Sequence, residues 1–425
     1  MRILVIGFTH LAMVYSACFA SKGNAISICH SEIQDDYDYD YKNLMAEPFL
    51  HDYILDAQEQ GNFFFVRLDT TEIGDYDLIL IAEDTPLDNL GFPIHQKISN
   101  IINYVNKRNT KKIPLILMSQ VYPGFCANVS SDYQLIYWVE TLVFGRAIER
   151  AINPEQIVLG FGGTNRGMPN ALRYLLKQFT APIHRMSWES AELTKISFNF
   201  MLSMSVLGAN FLASVAEFTG ADWKEVKGAL KFDSRIGEHA YLNPGLGITG
   251  GNLPRDLNTL RTITARMTRH NSVFLNEIIK FNECQYLWLS DCVEDLRSEF
   301  NLDKHSDRIG LLGLSYKEGT ASTVNSPSIK LASYCLDSQY LAFDPIVKEV
   351  SGLSNLEICN SLDDLIQRST ILILATPWKE IVEGLSSSTQ NTQSKFIIDA
   401  GSWLESDVLE RFKTFRQRGR GINIE

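Results

Sequence analysis

At 425 residues, 45% hydrophobic and 21% charged, the chain is long enough for two or three domains with full cores and too apolar for a disordered protein. Its net charge of −11, with no basic block, excludes a nucleic-acid surface, because nothing stands ready to neutralise phosphates. Seven scattered cysteines (Cys18, Cys29, Cys126, Cys284, Cys292, Cys335, Cys359) without C-x-x-C spacing exclude a zinc site and a disulfide framework, and suit reduced thiols in the cytoplasm.

In chain order, residues 1–7 read as a buried strand that breaks at Gly7 into an apolar helix through Ala20. The chain enters that strand without a charged leader, and no run of membrane-spanning length is expected, so the protein is read as soluble, with no membrane contact. A second strand follows at 25–29, and the acidic, aromatic tract at 32–41 reads as a solvated loop. Further strands are expected at 78–82, 113–118 and 156–160. Continuous β-branched runs alternating with helical stretches predict a doubly wound parallel sheet covered on both faces. From Ser187 the pattern changes to long helices, one over about 189–218 and one from Asp256 towards Phe300. A second α/β unit has strands at 308–314, 340–345, 371–376 and 396–399. The predicted class is α/β, with two Rossmann-like doubly wound parallel-sheet domains joined by a central all-helical segment. The expected limits are 1–186, 187–300 and 301–425.

The first turn, Gly7-Phe8-Thr9-His10-Leu11-Ala12, is a partial dinucleotide loop. Its first glycine is present and alanine fills the third slot. Thr9 holds the second, where a missing side chain normally lets the backbone approach a pyrophosphate. The second strand runs into His30, where an acidic residue would hold the adenosine ribose; a histidine could instead face a 2′-phosphate, which would suit NADP. Two readings stay open: ordinary NAD binding, or a Gly7 that merely makes a tight turn in a fold that no longer holds NAD.

The stretch Leu242-Asn243-Pro244-Gly245-Leu246-Gly247-Ile248-Thr249-Gly250-Gly251-Asn252-Leu253-Pro254-Arg255-Asp256 resembles the active-site loop of the UDP-glucose/GDP-mannose dehydrogenase family, L-x-P-G-x-G-F-G-G-S-C-F/L-P-K-D. Asn252 stands where that family carries its nucleophilic cysteine. A carboxamide cannot form the thiohemiacetal and thioester of a four-electron oxidation. Ser190–Asn199 is similar to the family's A-E-x-x-K-x-x-x-N helix. The resemblance implies that Lys195 stabilises an oxyanion and that Asn199, four residues on and on the same face, holds a water or the sugar. Glu140 falls in the family's N-P-E-F-L, and Asp256 keeps the aspartate that assists the base water. Asn153–Gly160 follows N-P-x-x-I-V-x-G, a segment that carries fold more than chemistry.

On the cofactor side the family's V-G-T-P reads Glu83-Asp84-Thr85-Pro86, and its S-T-V-P-x-G places Gln120 where threonine stands. On the substrate side Asp233-Ser234-Arg235-Ile236-Gly237 resembles D-x-R-I-G, whose arginine reaches the partner subunit's sugar-nucleotide site. Gly313–Thr320 resembles G-L-A-F-K-x-x-T, with Lys317 as a ligand contact, while the segments at 321–327 and 399–402 lack the family's arginines. The resemblance thus implies catalytic positions Glu140, Lys195, Asn199, Asn252 and Asp256. It implies cofactor positions Gly7, Thr9, His30, Thr85 and Gln120, and substrate positions Arg235, Tyr241, Gly245, Gly247, Gly250 and Lys317. The implied ligands are a UDP- or GDP-linked sugar and NAD, weakened or lost. The implied assembly is a homodimer through the central helices.

The substitutions sort themselves. Groups for the sugar nucleotide mostly survive, while Thr9, His30, Gln120, Val324 and Asn252 replace groups for NAD and covalent chemistry. Two functions are therefore weighed: an NAD(P)-dependent oxidoreductase limited to one two-electron alcohol/carbonyl step, or a non-catalytic nucleotide-sugar-binding or regulatory relative in glycan biosynthesis. A four-electron enzyme would need another thiol; Cys126 is the candidate, against its reading as a buried structural thiol.

Overall fold

The computed structural model describes residues 1–31, 47–88, 92–129, 135–163, 167–267, 269–388 and 392–421; the acidic tract at 32–41 lies outside them. The chain divides into two compact units, Met1–Phe198 and Asn199–Glu425.

The first unit is built on an eight-stranded sheet of order β3-β2-β1-β4-β5-β6-β7-β8. Its strands are β1 Arg2–Ile6, β2 Ala25–Cys29, β3 Phe63–Phe65, β4 Leu78–Ile81, β5 Leu115–Leu117, β6 Leu135–Val139, β7 Ile157–Phe161 and β8 Ile183–Ser187. Because successive side chains point to opposite faces, β1 feeds two cores at once. Ile3 and Val5 join a cluster with α1 (His10–Ser21), α2 (Leu50–Glu59), α5 (Ala147–Ile152) and α6 (Asn170–Leu176). Leu4 and Ile6 pack instead in a cluster with Ile98, Ile101, Ile102 and Val105 of α3 (Gln96–Arg108) and with Phe125 and Cys126 of the short α4 (Phe125–Asn128). Burial on both faces is why Ile3–Ile6 of β1 and Leu78–Ile81 of β4 read as unbroken apolar runs. The strand order reverses between β1 and β4, the crevice where open α/β sheets take ligands.

Two features depart from the expectation. β3, β6 and β8 are additional strands, and β7 runs antiparallel to β6, so this sheet is mixed rather than wholly parallel. The connection contains only the six-residue α5, about 9 Å of helix, and the chain folds back beside β6 instead of crossing the sheet.

The long helix α7 (Trp188–Thr219) leads into the second unit, followed by α8 (Trp223–Phe232), α9 (Asn252–Thr264), α10 (Arg269–Glu283) and α11 (Leu287–Phe300). The stretch expected as one helix from 256 to 300 is therefore three. By length and composition α7 could cross a membrane, with mean hydropathy 1.4 in an 18-residue window of which 33% is buried, contrary to the expectation that no such run exists. Core helices of soluble proteins pass the same test.

A six-stranded parallel sheet of order β11-β10-β9-β12-β13-β14 completes the second unit. It comprises β9 Ile309–Leu312, β10 Tyr340–Phe343, β11 Leu356–Ile358, β12 Ile371–Leu374, β13 Phe396–Asp399 and β14 Thr414–Gln417. The edge strands β11 and β14 were not expected from sequence. α12 (Pro327–Tyr334) covers one face with α11, and α13 (Leu362–Arg368) and α14 (Lys379–Ser387) cover the other.

Candidate functional site

In the first unit the turn after β1 is shaped by Gly7, whose φ of 128° suits glycine. A Cβ there would stand 2.5 Å from the Ala82 carbonyl oxygen, so the fold itself requires this glycine. The buried Thr9 caps α1: its hydroxyl donates to Ala82 O (2.7 Å) and accepts from Ala12 N (3.2 Å). Phe8 packs against His30, the two rings tilted with centroids 4.4 Å apart. His10 stacks on Phe144 and meets the buried carboxylate of Glu47 at 3.2 Å, which also accepts from Gly145 N and Ala147 N. At the end of β4, the buried Glu83 pairs with Lys97 at 3.4 Å, and the Thr85 hydroxyl donates to Gln120 O (2.7 Å). Gly7, Thr9, Thr85 and Gln120 thus follow the carboxyl ends of the interior strands β1, β4 and β5, beside Glu83 and the carboxylate of Glu47, which the sequence had not pointed to.

Lys195 is buried on α7 and pairs with Glu140; its ammonium also donates to the Glu140 carbonyl oxygen (3.0 Å). The other Glu140 carboxylate oxygen accepts from Leu142 N (2.9 Å), so the pair is held in one geometry. One turn earlier, fully buried Glu192 accepts from Gly124 N (2.6 Å) and Cys126 N (2.8 Å). Burial pushes the Glu192 carboxyl above its ordinary range, against those hydrogen bonds. Cys126 is itself buried, and desolvation with the neighbouring Glu192 charge drives its thiol well up. That environment suits a structural thiol and opposes a thiolate nucleophile.

In the second unit Asn199 donates through its side chain to Asp256, a buried carboxylate 3.6 Å from the Arg255 guanidinium. Asn252 opens α9 and is exposed at the helix N-terminus. A thiol there would be drawn towards thiolate by the helix dipole; a carboxamide has no such chemistry.

The preceding loop is tied down along its length. Gly245 N donates to Asn210 Oδ1 (2.7 Å), Ile248 N to Asn282 Oδ1 (2.6 Å), and Asn325 Nδ2 to Gly250 O (3.0 Å). Gly247 and Gly250 have φ of 90° and 73°, and a Cβ on Gly250 would meet the Tyr316 ring at 2.8 Å. Both are glycines for structural reasons. Gly245 differs: its φ lies outside the left-handed region and nothing stands within 4 Å of a Cβ, so neither strain nor packing accounts for it.

Lys317 neighbours Tyr316, its ammonium 5.8 Å from that ring, so the loop and Lys317 gather in one place. Tyr241 is half-exposed at the start of the loop. Arg235 stands outside this cluster, its guanidinium paired to Asp233 (2.6 Å) with 87% of the side chain exposed. Sequence reading missed Lys227, whose ammonium donates to Asn243 Oδ1 (2.7 Å). Burial pulls its pKa down, and Lys231 and Lys224 add to that. The signal was present as lysines at 224, 227 and 231, one stripe of α8.

The β9 turn depends on Asp344, at the end of β10 and 1% exposed. Its carboxylate accepts from Leu314 N, Ser315 N, Ile346 N and Val347 N at 2.8–3.0 Å, and from the Trp378 indole (3.1 Å). Burial alone would push this carboxyl up; the backbone N–H groups outweigh it and hold it below its ordinary value. A depressed folded pKa stabilises above the unfolded value, and that stabilisation is lost as pH falls through the folded one. Asp344→Asn should therefore cost about 2–3 kcal/mol at neutral pH. The difference from wild type should shrink below roughly pH 4, which urea unfolding at neutral and acid pH would check.

The chain thus combines two α/β sheet domains with a helical segment between them, and pairs Lys195 with Glu140 and Asn199 with Asp256. Three domain models of one family match in sequence: an NAD binding domain over 1–180, a central domain over 189–284 and a UDP binding domain over 310–406. The chain belongs to the UDP-glucose/GDP-mannose dehydrogenase family. It is 27% identical over 400 residues to a UDP-glucose 6-dehydrogenase of Rickettsia prowazekii, covering 89% of each chain. It is 25% identical to a GDP-mannose 6-dehydrogenase of Pseudomonas putida, covering 80% of this chain and 79% of that one. The fold matches a UDP-glucose dehydrogenase from Pyrobaculum islandicum (TM-score 0.80, 21% identity, 98% of this chain and 96% of that one). It also matches a UDP-D-ManNAc dehydrogenase from Pyrococcus horikoshii (TM-score 0.82, 20% identity, 99% of each).

Proposed function

We propose that the chain binds a UDP- or GDP-linked sugar through its second unit and does not carry out the cysteine-dependent four-electron oxidation. The observation that carries this reading is Asn252, exposed at the first position of α9, where acyl transfer would need a thiolate. The loop at Gly245, with Lys227 and Lys317, supplies the backbone and cationic groups that suit a diphosphate.

The nicotinamide dinucleotide that the family implies does not fit the first unit's turn. The Thr9 side chain fills the slot where a pyrophosphate needs bare backbone and already caps α1. Glu83 adds a buried carboxylate at the carboxyl end of β4, and His30 packs against Phe8 where a ribose-binding acid would stand. These groups support weak or lost NAD binding. For NADP, a half-buried histidine is one weak cation.

A second reading keeps a single two-electron step between alcohol and carbonyl. It is favoured by Lys195–Glu140 and Asn199–Asp256, an ammonium for a developing alkoxide and a carboxylate for a base water. Incubation of the purified chain with NAD or NADP and UDP-glucose or GDP-mannose separates the two. No reduced cofactor is expected; its accumulation without a uronic acid product would establish the second reading.

The partner in solution is a second copy of the chain, through the central helices. Phe211, Val215 and Phe218 form an i, i+4, i+7 stripe on α7, exposed by 57%, 41% and 85%. Sedimentation velocity should give twice the chain mass for the wild type and the monomer mass for Val215→Asp. A monomeric wild type removes the dimer from the account.

A further inference from the structure

The loop at 242–251 is held from behind by a residue near the end of the chain. Asn210 on α7 takes Gly245 N, Asn282 on α10 takes Ile248 N, and Gln285 lies against Gly247, where a Cβ would stand 3.0 Å from the Gln285 Cβ. These three side chains form the floor under the loop. Arg418, just past β14 and 2% exposed, converges on that floor. Its guanidinium donates to the Asn210 carbonyl oxygen (3.3 Å), to Gln285 Oε1 (3.4 Å) and to Glu217 Oε1 (3.5 Å), and lies 4.9 Å from the Trp288 ring centroid. Its neighbour Gly419 reinforces the link. Gly419 N donates to Glu217 (2.6 Å), Gly419 O accepts from Trp223 N (2.8 Å), and the Trp223 indole donates to Leu242 O (2.8 Å) where the loop begins.

We propose that Arg418 is a positioning residue that fixes the backbone of 242–248 in its ligand-binding shape by holding Asn210 and Gln285. What the loop binds rests on the nucleotide-sugar reading; how the loop is held does not. A planar fork can donate in three directions at once, and an ammonium on a lysine stem cannot reproduce that geometry. A guanidinium so deeply buried and shared among acceptors on α7, after α10 and beneath the loop couples elements that are distant in sequence.

The test uses the full chain as wild type, Arg418→Lys, Gln285→Ala and the double variant. Amide hydrogen exchange reports the loop, and titration with UDP-glucose and GDP-mannose reports ligand affinity. Arg418→Lys should speed exchange at 242–251 while the amides of β9 and β12 keep wild-type protection, and should weaken affinity about tenfold. The double variant should lose no more than Arg418→Lys alone, because both changes break one connection. Wild-type loop exchange in Arg418→Lys, losses that multiply in the double variant, or exchange raised across the whole second sheet would each overturn the proposal. If Arg418→Lys does not fold, Gln285→Ala decides: loop exchange must rise selectively, and an unchanged loop overturns the proposal. If the wild type binds neither nucleotide sugar, the ligand reading fails by itself and loop exchange still judges Arg418.

Discussion

Asn252→Cys is expected to create the fastest-reacting thiol in the chain and still not to produce a sugar-nucleotide dehydrogenase. Position 252 is exposed at the N-terminus of the 13-residue α9, where the helix dipole favours a thiolate. The native background is quiet. Burial pushes Cys18 up to about 12 and Cys359 up to about 11, and raises Cys29, Cys126 and Cys292 as well. Cys284 is the exposed thiol and serves as the internal comparison. Alkylation by iodoacetamide, followed by peptide mapping, should run about tenfold faster at position 252 than at Cys284. With UDP-glucose and NAD the variant should release no reduced cofactor, because Thr9, Glu83 and His30 still shape the other half of the chemistry. Equal alkylation rates would remove the helix-terminus argument. Formation of reduced cofactor would show that the dinucleotide turn works as it stands.

The glycine loop should separate fold from ligand binding by a wide margin. Gly250→Ala places a Cβ 2.8 Å from the Tyr316 ring at a φ of 73°. The left-handed conformation costs about 1 kcal/mol and the overlap about 2 more, so a loss near 3 kcal/mol should appear in denaturant unfolding. Gly245→Ala meets no neighbour within 4 Å and keeps the N–H that Asn210 accepts. Its stability should stay within about half a kcal/mol of wild type, as for most neutral surface changes. Affinity for UDP-glucose or GDP-mannose should fall at least about tenfold, because a methyl then occupies the backbone approach. A Gly245→Ala chain that binds as tightly as wild type would detach this loop from the ligand.

The sequence made much of the architecture readable from strands buried on both faces, although β6, buried at all five residues, was missed. β1, β2, β4, β9, β12 and β13 fall within their expected positions because apolar residues dominate each, with Arg2, Ser27 and Asp399 as the polar exceptions in β1, β2 and β13. β3 and β11 are three residues long, too short for a period to show, and β14 carries Thr414, Arg416 and Gln417 at a sheet edge, so its composition did not mark it. The reversal of β7 was invisible because strand direction depends on how the connection packs, and an apolar run looks the same either way. In the site, Lys195 with Glu140 and Asn199 with Asp256 were found through the resemblance and are paired within their units. Glu47, Glu192, Asp344 and Arg418 were missed. Each acts on backbone or side chains far along the chain, as Glu47 does at Gly145 and Ala147, and no local spacing announces such a contact. Gly247 and Gly250 drew the same attention as Gly245 in the sequence, and only their dihedrals and neighbours separate them.

Calorimetric titration of the purified chain with UDP-glucose, GDP-mannose, NAD and NADP tests the central claim, that the sugar-nucleotide side is kept and the cofactor side is not. One of the two nucleotide sugars should bind saturably, and neither dinucleotide should give a saturable signal at millimolar concentration. Saturable NAD binding, or no binding by either nucleotide sugar, would contradict it.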